Sequence, residues 1–369
     1  MLTFSYPINY FVVFICAFIL STLTFPSIIF VSKERNLYDD LHLHRKKHKN
    51  LTSRLGGIGI FCSFMITTLL LVSQHSAIPI NYLHTACIIL FAMGVKDDIV
   101  SVNASTKFIS QLCTSLLLVI PGEVRLRGFY GILGIYDLPV YGQIILSVTV
   151  IMVLINAFNL IDGLNTLAAG MGILATGVYG IMFVLMSQPA LAALSFALMG
   201  ALVGFLRFNR SPARLFMGDT GSMLIGCITA VLSIKYIEVF FKDTDVIMYR
   251  PESAPAFAIA IVLIPIFDTL RVFVLRLSNG HSPFMADQNH LHHLLASAGL
   301  KHERAALILI AFNAFAIGLV VVFDKMGNLF LICLLAFICL VFSMFVKMLS
   351  VKMAGDKKGL KSALLSFLY

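Results

Sequence analysis

Two short segments of this sequence place carboxylates where they could bind a cation. Asp97 and Asp98 are adjacent in GVKDDIVS, and Asp219 follows Gly218 in FMGDTGSMLIG. Adjacent carboxylates repel each other unless a cation is near, and oxygen atoms are the ligands that Mg²⁺ prefers. A glycine-flanked helix start also exposes N–H groups that attract anions. Both segments predict a Mg²⁺ or phosphate site; a solvated helix end at Asp97 and an acidic helix cap at Asp219 are the alternatives.

A third segment, NAFNLIDGLN, carries four polar residues at intervals of three: Asn156, Asn159, Asp162 and Asn165. On a helix this spacing forms one slowly turning polar stripe. An Asn side chain offers a carbonyl oxygen to Mg²⁺ and an N–H donor to a phosphate or a base. We therefore predict that the stripe lines a metal and nucleotide pocket. Hydrogen bonding between membrane helices is the alternative.

A fourth segment, DQNHLHHLL, concentrates polar and imidazole side chains: Asp287, His290, His292 and His293. Zn²⁺ would need further ligands in tetrahedral geometry, whereas imidazoles that donate to phosphate oxygens suit a Mg²⁺-dependent phosphoryl site. Upstream, Arg271 and Arg276 could clamp phosphates. Asp268 and Arg271 are three residues apart, so a structural ion pair on one helix is the favoured alternative for these two.

The elements that must position these segments are membrane helices. Of the 369 residues, 59% are hydrophobic and only 12% are charged, unlike the balance of a soluble domain. Apolar stretches long enough to cross a bilayer recur along the whole chain. We predict an all-α polytopic membrane helical bundle with eleven transmembrane helices: 8–31, 55–74, 79–95, 105–121, 142–160, 164–187, 189–207, 220–240, 255–276, 304–323 and 328–348. Residues 1–349 are expected to form a single integral membrane domain, followed by a tail at 350–369.

The basic residues predict how this bundle is oriented. With the N-terminus outside and the C-terminus cytoplasmic, only six of the 27 Lys and Arg residues fall on the outer side: Arg125, Arg127, Lys235, Lys242, Arg250 and Lys325. The tail is then cytoplasmic. Because the basic residues are scattered over short loops, we expect a lipid bilayer and no nucleic acid as a partner.

All four polar segments fall at the cytoplasmic ends of the predicted helices. A transporter would be expected to carry ionisable groups near the middle of the membrane, along a path. Polar residues gathered at one interface instead favour an enzyme that acts between a water-soluble substrate and a lipid head group.

Taken in their order along the chain, the four segments resemble the polyprenyl-phosphate N-acetylhexosamine-1-phosphate transferase superfamily (glycosyltransferase 4 family), and most of all its WecA-like branch. The resemblance implies transfer of GlcNAc-1-phosphate from a UDP-N-acetylhexosamine to undecaprenyl phosphate, with release of UMP. It places the reaction at the cytoplasmic face of the bacterial inner membrane, as the first membrane step of a cell-envelope polysaccharide such as an O-antigen of lipopolysaccharide. Mg²⁺ is the implied cofactor, with Mn²⁺ as the alternative. A homodimer is left open as the oligomeric state.

The resemblance and the residue types together assign roles to individual residues. The predicted metal ligands are Asp219 and Asn159. The predicted catalytic residues are Asp97, Asp98, Asp162, His290, His292 and His293. The predicted substrate-binding residues are Lys49, Asn156, Asn165, Asn209, Phe216, Arg276 and Asp287, with Phe216 stacking on uracil.

The sequence departs from the family pattern in two places. Ser101 stands where an aspartate-rich motif often has a third acid, and Asn165 replaces an acid of a second motif. These changes leave the sugar open, so phospho-MurNAc-pentapeptide transfer and transfer of a modified UDP-HexNAc are alternatives. A transporter of lipid-linked sugars and a membrane subunit without catalysis are the alternatives from other classes.

Overall fold

Eight helices build the first of two compact units. In this computed structural model, residues 6–37, 52–72, 79–242, 252–280 and 289–353 are described. The first unit comprises Met1–Asp162 and Ala168–Arg250. Its helices are α1 (Tyr6–Glu34), α2 (Gly56–Leu71), α3 (Ile80–Ile99), α4 (Ala104–Val119), α5 (Val140–Ile161), α6 (Leu167–Leu185), α7 (Pro189–Asn209) and α8 (Gly218–Lys242).

Small residues let α8 pack closely against α3 and α5. Its first half, GDTGSMLIGCITAVLS, is rich in Gly, Ala, Ser and Thr, the residues that allow membrane helices to approach each other. A Cβ atom on Gly226 would lie 2.6 Å from the Cα atom of Ile155 in α5. One on Gly94 in α3 would lie 2.5 Å from the Cα atom of Thr220. The ends of α3 and α5, which carry the acidic and amide residues, are thereby held against the start of α8.

Five of the described helices belong to the second unit, which comprises Gly163–Leu167 and Pro251–Tyr369. They are α9 (Ala254–Ile261), α10 (Leu263–Ser278), α11 (Leu291–Ser297), α12 (His302–Val322) and α13 (Asn328–Met353). The short helix α11 was not among the predicted elements. The predicted tail begins inside α13, and its residues 354–369 lie outside the described part of the chain.

The span predicted at 255–276 is wrong as one continuous helix, because α9 and α10 meet at a 77° bend. Asn313 of α12 replaces the hydrogen bonds that the bend interrupts. Its Oδ1 accepts the backbone N–H of Ile264 at 3.0 Å, and its Nδ2 donates to the carbonyl oxygens of Ala260 at 3.2 Å and Ile261 at 3.0 Å. An apolar environment tolerates a broken helix only when the freed backbone groups find such partners.

The chain is a polytopic helical membrane protein. Among the described residues, seven helices are long and apolar enough to cross a membrane (α1, α5, α6, α7, α8, α12 and α13), and the bent pair α9–α10 makes up to eight. The helices α2 and α4 are apolar but shorter. Each predicted span coincides with a helix or with the bent pair. The count of eleven crossings, the orientation and the single-domain boundary stay predictions.

Candidate active site

Lys107 joins two acidic residues that come from different helices. Its Nζ atom lies 2.7 Å from Oδ2 of Asp97, near the end of α3, and 2.6 Å from Oδ2 of Asp219, at the start of α8. The three side chains are only 13 to 27% exposed, so water weakens the attraction less than at an open surface. Two carboxylates that share one ammonium group mark a position where positive charge is stabilised.

Asp98 caps the start of α8. Its Oδ1 accepts the backbone N–H of Asp219 at 2.8 Å, and its Oδ2 accepts the N–H of Thr220 at 3.1 Å and the Thr220 hydroxyl at 2.6 Å. Gly218 makes this approach possible, because it has a φ of +72° and a Cβ there would lie 2.5 Å from Oδ1 of Asp98. The expectation that these N–H groups are unpaired and can bind a phosphate is therefore wrong for Asp219 and Thr220. Both N–H groups donate to the side chain of Asp98 instead.

Asp162, directly after α5, completes an acidic cluster that consists of Asp97, Asp98, Asp162 and Asp219. Removal from water raises the pKa of Asp162 well above its ordinary value, and the charges of Asp219 and Asp98 raise that pKa further. Burial likewise raises the pKa of Asp98 to about 6, although its hydrogen bonds from Thr220 and Asp219 oppose the rise. The close approach of these acids thus disfavours their simultaneous ionisation, and a bound cation would oppose that effect.

The two asparagines of α5 contact different helices. Asn159 Nδ2 donates to the Ser222 hydroxyl at 3.0 Å, at the start of α8 beside the acidic cluster. Asn156 instead pairs with Gln111 of α4: its Nδ2 donates to Gln111 Oε1 at 2.7 Å, and Gln111 Nε2 donates back at 3.4 Å. The role of Asn159 as a metal ligand stays a prediction. Asn156 forms hydrogen bonds between two helices, which was the alternative interpretation of the polar stripe.

The segment before α8 is tied to the segment before α2. Ser53 and Leu215 form an isolated parallel bridge, and the N–H of Phe216 donates to the Ser53 carbonyl at 2.8 Å. Asn209 is buried, and its Nδ2 donates to the Leu215 carbonyl at 2.9 Å. The backbone of Phe216 is thereby fixed while its ring stays half-buried. The proposed uracil contact of Phe216 stays a prediction, and Lys49 lies outside the described residues.

In the second unit, Asp268 gathers groups from α10 and from the start of α11. The predicted ion pair with Arg271 is confirmed, with Nη2 at 2.8 Å from Oδ1. The other oxygen, Oδ2, lies 2.9 Å from Nδ1 of His290. The backbone N–H of Leu291 also donates to the carboxylate, at 3.0 Å to Oδ1. Sequence reasoning found the first of these partners but not the imidazole.

Three histidines at the start of α11 form what we call the histidine cluster: His290, His292 and His293. Their ring centroids lie 4.2 to 6.5 Å apart. His292 is 1% exposed, and neither of its ring nitrogens has a hydrogen-bond partner among the described residues. Its Nε2 packs against Gly163, where a Cβ would collide with it. Burial lowers the pKa of His292 to about 3, so this imidazole is neutral and cannot bind phosphate as a cation.

The remaining predicted residues of the second unit are placed as follows. Arg276 is buried in the last turn of α10. Asn165 is half-buried in the turn that follows α5. Asp287 lies outside the described residues.

The acidic cluster does not form a complete metal site by itself. Within the described ranges, no three His, Cys, Asp or Glu side chains could hold a metal ion by themselves. Mg²⁺ is commonly bound by one or two carboxylates, with water and substrate phosphates as its other ligands. The ammonium group of Lys107 between Asp97 and Asp219 occupies such a cation position. Sequence reasoning missed Lys107 as a functional candidate. It was used only as one of the basic residues that predict the orientation of the bundle.

The helices and the acidic cluster together define a multi-pass membrane protein with a partly buried cation position at the junction of α3, α4 and α8. Comparison with known proteins identifies it further. Residues 80–237 match the model of Glycosyl transferase family 4. The chain belongs to this family.

Three relatives illustrate the match. A decaprenyl-phosphate N-acetylglucosaminephosphotransferase of Mycolicibacterium smegmatis is 32% identical, over 72% of this chain and 70% of the relative. A probable undecaprenyl-phosphate N-acetylglucosaminyl 1-phosphate transferase of Bacillus subtilis is 28% identical, over 81% of this chain and 80% of the relative. An undecaprenyl-phosphate alpha-N-acetylglucosaminyl 1-phosphate transferase of Escherichia coli K12 is 28% identical, over 77% and 75%. The similarity therefore extends well beyond the acidic cluster.

Proposed function

We propose that this protein transfers GlcNAc-1-phosphate from UDP-GlcNAc to a polyprenyl phosphate, with undecaprenyl phosphate as the predicted lipid, and releases UMP. The relatives carry names that describe this transfer to undecaprenyl or decaprenyl phosphate. The observation that carries the proposal in this chain is the cation position that Asp97 and Asp219 share. We further propose that the reaction occurs at the cytoplasmic face of the bacterial inner membrane, as the distribution of Lys and Arg suggests.

The reaction joins two anions, and this repulsion is its main difficulty. An oxygen of the lipid phosphate forms a bond to the β-phosphorus of the UDP-sugar, and the bond from that phosphorus to the bridging oxygen breaks, so that UMP leaves with the electron pair. A phosphate monoester has a second pKa near 6, so the lipid phosphate is already largely dianionic at pH 7. The protein therefore needs to supply positive charge and alignment more than a strong base.

In this proposal Asp219 and Asn159 hold Mg²⁺, which when bound supplies positive charge to the diphosphate. Lys107 contributes a second positive charge, held in place by Asp97 and Asp219. Asp98 acts indirectly, because its carboxylate is engaged by the first N–H groups of α8 and fixes the backbone of Asp219.

Three further polar residues are candidate hydrogen-bond donors in this proposal. His290, His293 and Arg276 are the candidates for contacts with phosphate or sugar oxygens, since imidazolium and guanidinium groups are strong donors to phosphate. His292 is neutral and packs against Gly163, so its role is to hold the turn after α5 against α11.

A direct test uses the purified protein with polyprenyl phosphate, Mg²⁺ and a panel of donors: UDP-GlcNAc, UDP-GalNAc and UDP-MurNAc-pentapeptide. We expect one UMP per lipid product, and a product mass that corresponds to added GlcNAc-1-phosphate. EDTA should stop the reaction. If another UDP-sugar of the panel is the preferred donor, only the identity of the transferred sugar has to be revised. No UMP from any donor would instead support a transporter of lipid-linked sugars, the alternative without chemistry.

A further inference from the structure

Asp268 uses its carboxylate for more than an ion pair. The residue is 1% exposed. One oxygen, Oδ1, accepts from Arg271 Nη2 at 2.8 Å and from the Leu291 N–H at 3.0 Å. The other, Oδ2, lies 2.9 Å from His290 Nδ1 and 3.2 Å from the Leu291 N–H. Arg271 also donates to the carbonyl of Asn289, the residue before His290.

These contacts fix the orientation and the proton of one imidazole ring. An ionised carboxylate only accepts hydrogen bonds, so Nδ1 of His290 must carry the proton that the two groups share. The ring nitrogen that Asp268 leaves unengaged is Nε2. In the protonated form of the imidazole Nε2 is a donor as well.

A purely structural ion pair would not need this arrangement. Arg271 alone balances the charge of Asp268. The hydrogen bond from the Leu291 N–H to the carboxylate is enough to cap α11. The imidazole of His290 is an additional partner, and it belongs to the histidine cluster. The other titratable groups lie further out: His302 of α12 interacts with His292, and Lys347 of α13 interacts with Arg271.

We infer that Asp268 is a positioning residue for the transfer: it holds His290 with Nδ1–H toward itself, so that Nε2–H donates to a phosphate oxygen of the nucleotide-sugar as charge develops there. This inference rests on the proposed function and adds a residue that neither the sequence motifs nor the acidic cluster includes. Because Asp268 acts through His290, its removal should matter only while His290 is present.

A double-mutant cycle of Asp268→Asn and His290→Gln tests this dependence. We expect Asp268→Asn to lower kcat by about 10- to 100-fold, the usual range for a group that orients another. The KM for the UDP-sugar should change by less than about twofold, since the contact strengthens in the transition state. In the His290→Gln protein, Asp268→Asn should then cost less than about twofold more.

Asp324→Asn is the matched control. Asp324 belongs to the same unit and also accepts two backbone N–H groups, from Glu252 at 2.7 Å and Ser253 at 2.9 Å, but the structure shows no histidine contact for its carboxylate within the described ranges. We expect this variant to lose thermal stability and to keep its kcat. Losses that multiply in the Asp268→Asn/His290→Gln double variant, or an unchanged kcat in Asp268→Asn, would overturn the inference.

A spectroscopic measurement decides the matter if Asp268→Asn fails to fold. Wild-type protein labelled with ¹⁵N-histidine, with His290 identified by the signal that His290→Gln loses, should show Nδ1 protonated at pH 7. An unprotonated Nδ1 would refute the proposed orientation. The spectrum does not depend on turnover, so a protein that releases no UMP but shows this signal would contradict the proposed function and leave the placement of His290 intact.

Discussion

Lys107 donates a 2.6 Å hydrogen bond to Asp219, which lies 112 residues further along the chain. The contact connects α4 with the start of α8. The same ammonium group also reaches Asp97 in α3. In the absence of a divalent ion, the acidic cluster therefore has a cation of its own, and this arrangement has measurable consequences.

Replacing Lys107 should make the fold more dependent on Mg²⁺. In Lys107→Met the carboxylates of Asp97 and Asp219 lose their shared cation, so we expect the thermal midpoint in EDTA to fall by about 2 °C or more. Mg²⁺ should then raise the midpoint by more than it does in the wild type, because binding to the folded state stabilises it. Thermal unfolding in detergent, with and without Mg²⁺, measures both effects. Lys33→Met, at an exposed lysine, is the control; an equal response to Mg²⁺ in the wild type and Lys107→Met would contradict the prediction.

Adding one methyl group at Gly163 should displace the histidine cluster. A Cβ at this position would collide with Nε2 of His292. We expect Gly163→Ala to lower the rate of UMP release by about 10-fold or more, the scale of effect that displaced orienting groups have. Gly318→Ala in α12 is the matched control, since a Cβ there would have no described residue within 4 Å. If both variants keep the wild-type rate, the close packing is not needed for activity.

The burial of His292 predicts that acid destabilises the folded protein. Its pKa is lowered to about 3 in the fold, against about 6.5 in an unfolded chain, so protonation favours unfolding. The stability it contributes is complete above pH 6.5 and is lost as the pH falls toward 3, by about 1.4 kcal/mol per pH unit. Between pH 7 and pH 5 the wild type should thus lose about 2 kcal/mol more than His292→Leu. Parallel stability curves for the two proteins would show that His292 is not buried in neutral form.

Removing the Asn313 side chain should destabilise the bend between α9 and α10. Asn313→Leu leaves the carbonyls of Ala260 and Ile261 and the N–H of Ile264 without this partner, and each unpaired buried group costs about 1 to 3 kcal/mol. We expect a clear loss in the free energy of unfolding. Ser343→Ala should have a much smaller effect, since among the described residues that hydroxyl donates to the carbonyl of Leu340 in its own helix and spans no break. Equal effects of the two substitutions would speak against the proposed role of Asn313.

The long helices could be predicted from the sequence because each is a long apolar stretch, whereas the seven-residue α11 could not. The bend was not predicted, although Pro265 favours one, because proline has no N–H and its ring clashes with the carbonyl of Ile261 in a continuous helix. The residue that binds the freed groups, Asn313, lies about 50 positions away and could not be predicted from local sequence. The slowly turning stripe from Asn156 to Asn165 was predicted to line one pocket. Steps of three residues drift by about 60° per step on a helix of 3.6 residues per turn, so Asn156 turns toward α4 and Asn159 toward α8.

The acidic residues of the site could also be singled out from their types, and the structure brings Asp97, Asp98, Asp162 and Asp219 together. Two contacts could not be predicted: Lys107 with Asp219, and Asp268 with His290. Each joins residues of different helices that no local sequence spacing connects. The roles of these acids as metal ligands or catalytic groups stay predictions.

The most direct test of the central claim is Mg²⁺-dependent UMP release by Asp219→Ala, compared with Asp137→Ala at an exposed acid outside the cluster. If Asp219 holds the cation that brings the two phosphates together, Asp219→Ala should remain folded and lose turnover by about 100-fold or more. Asp137→Ala should keep the wild-type rate. Wild-type Mg²⁺-dependent turnover in Asp219→Ala would contradict the account.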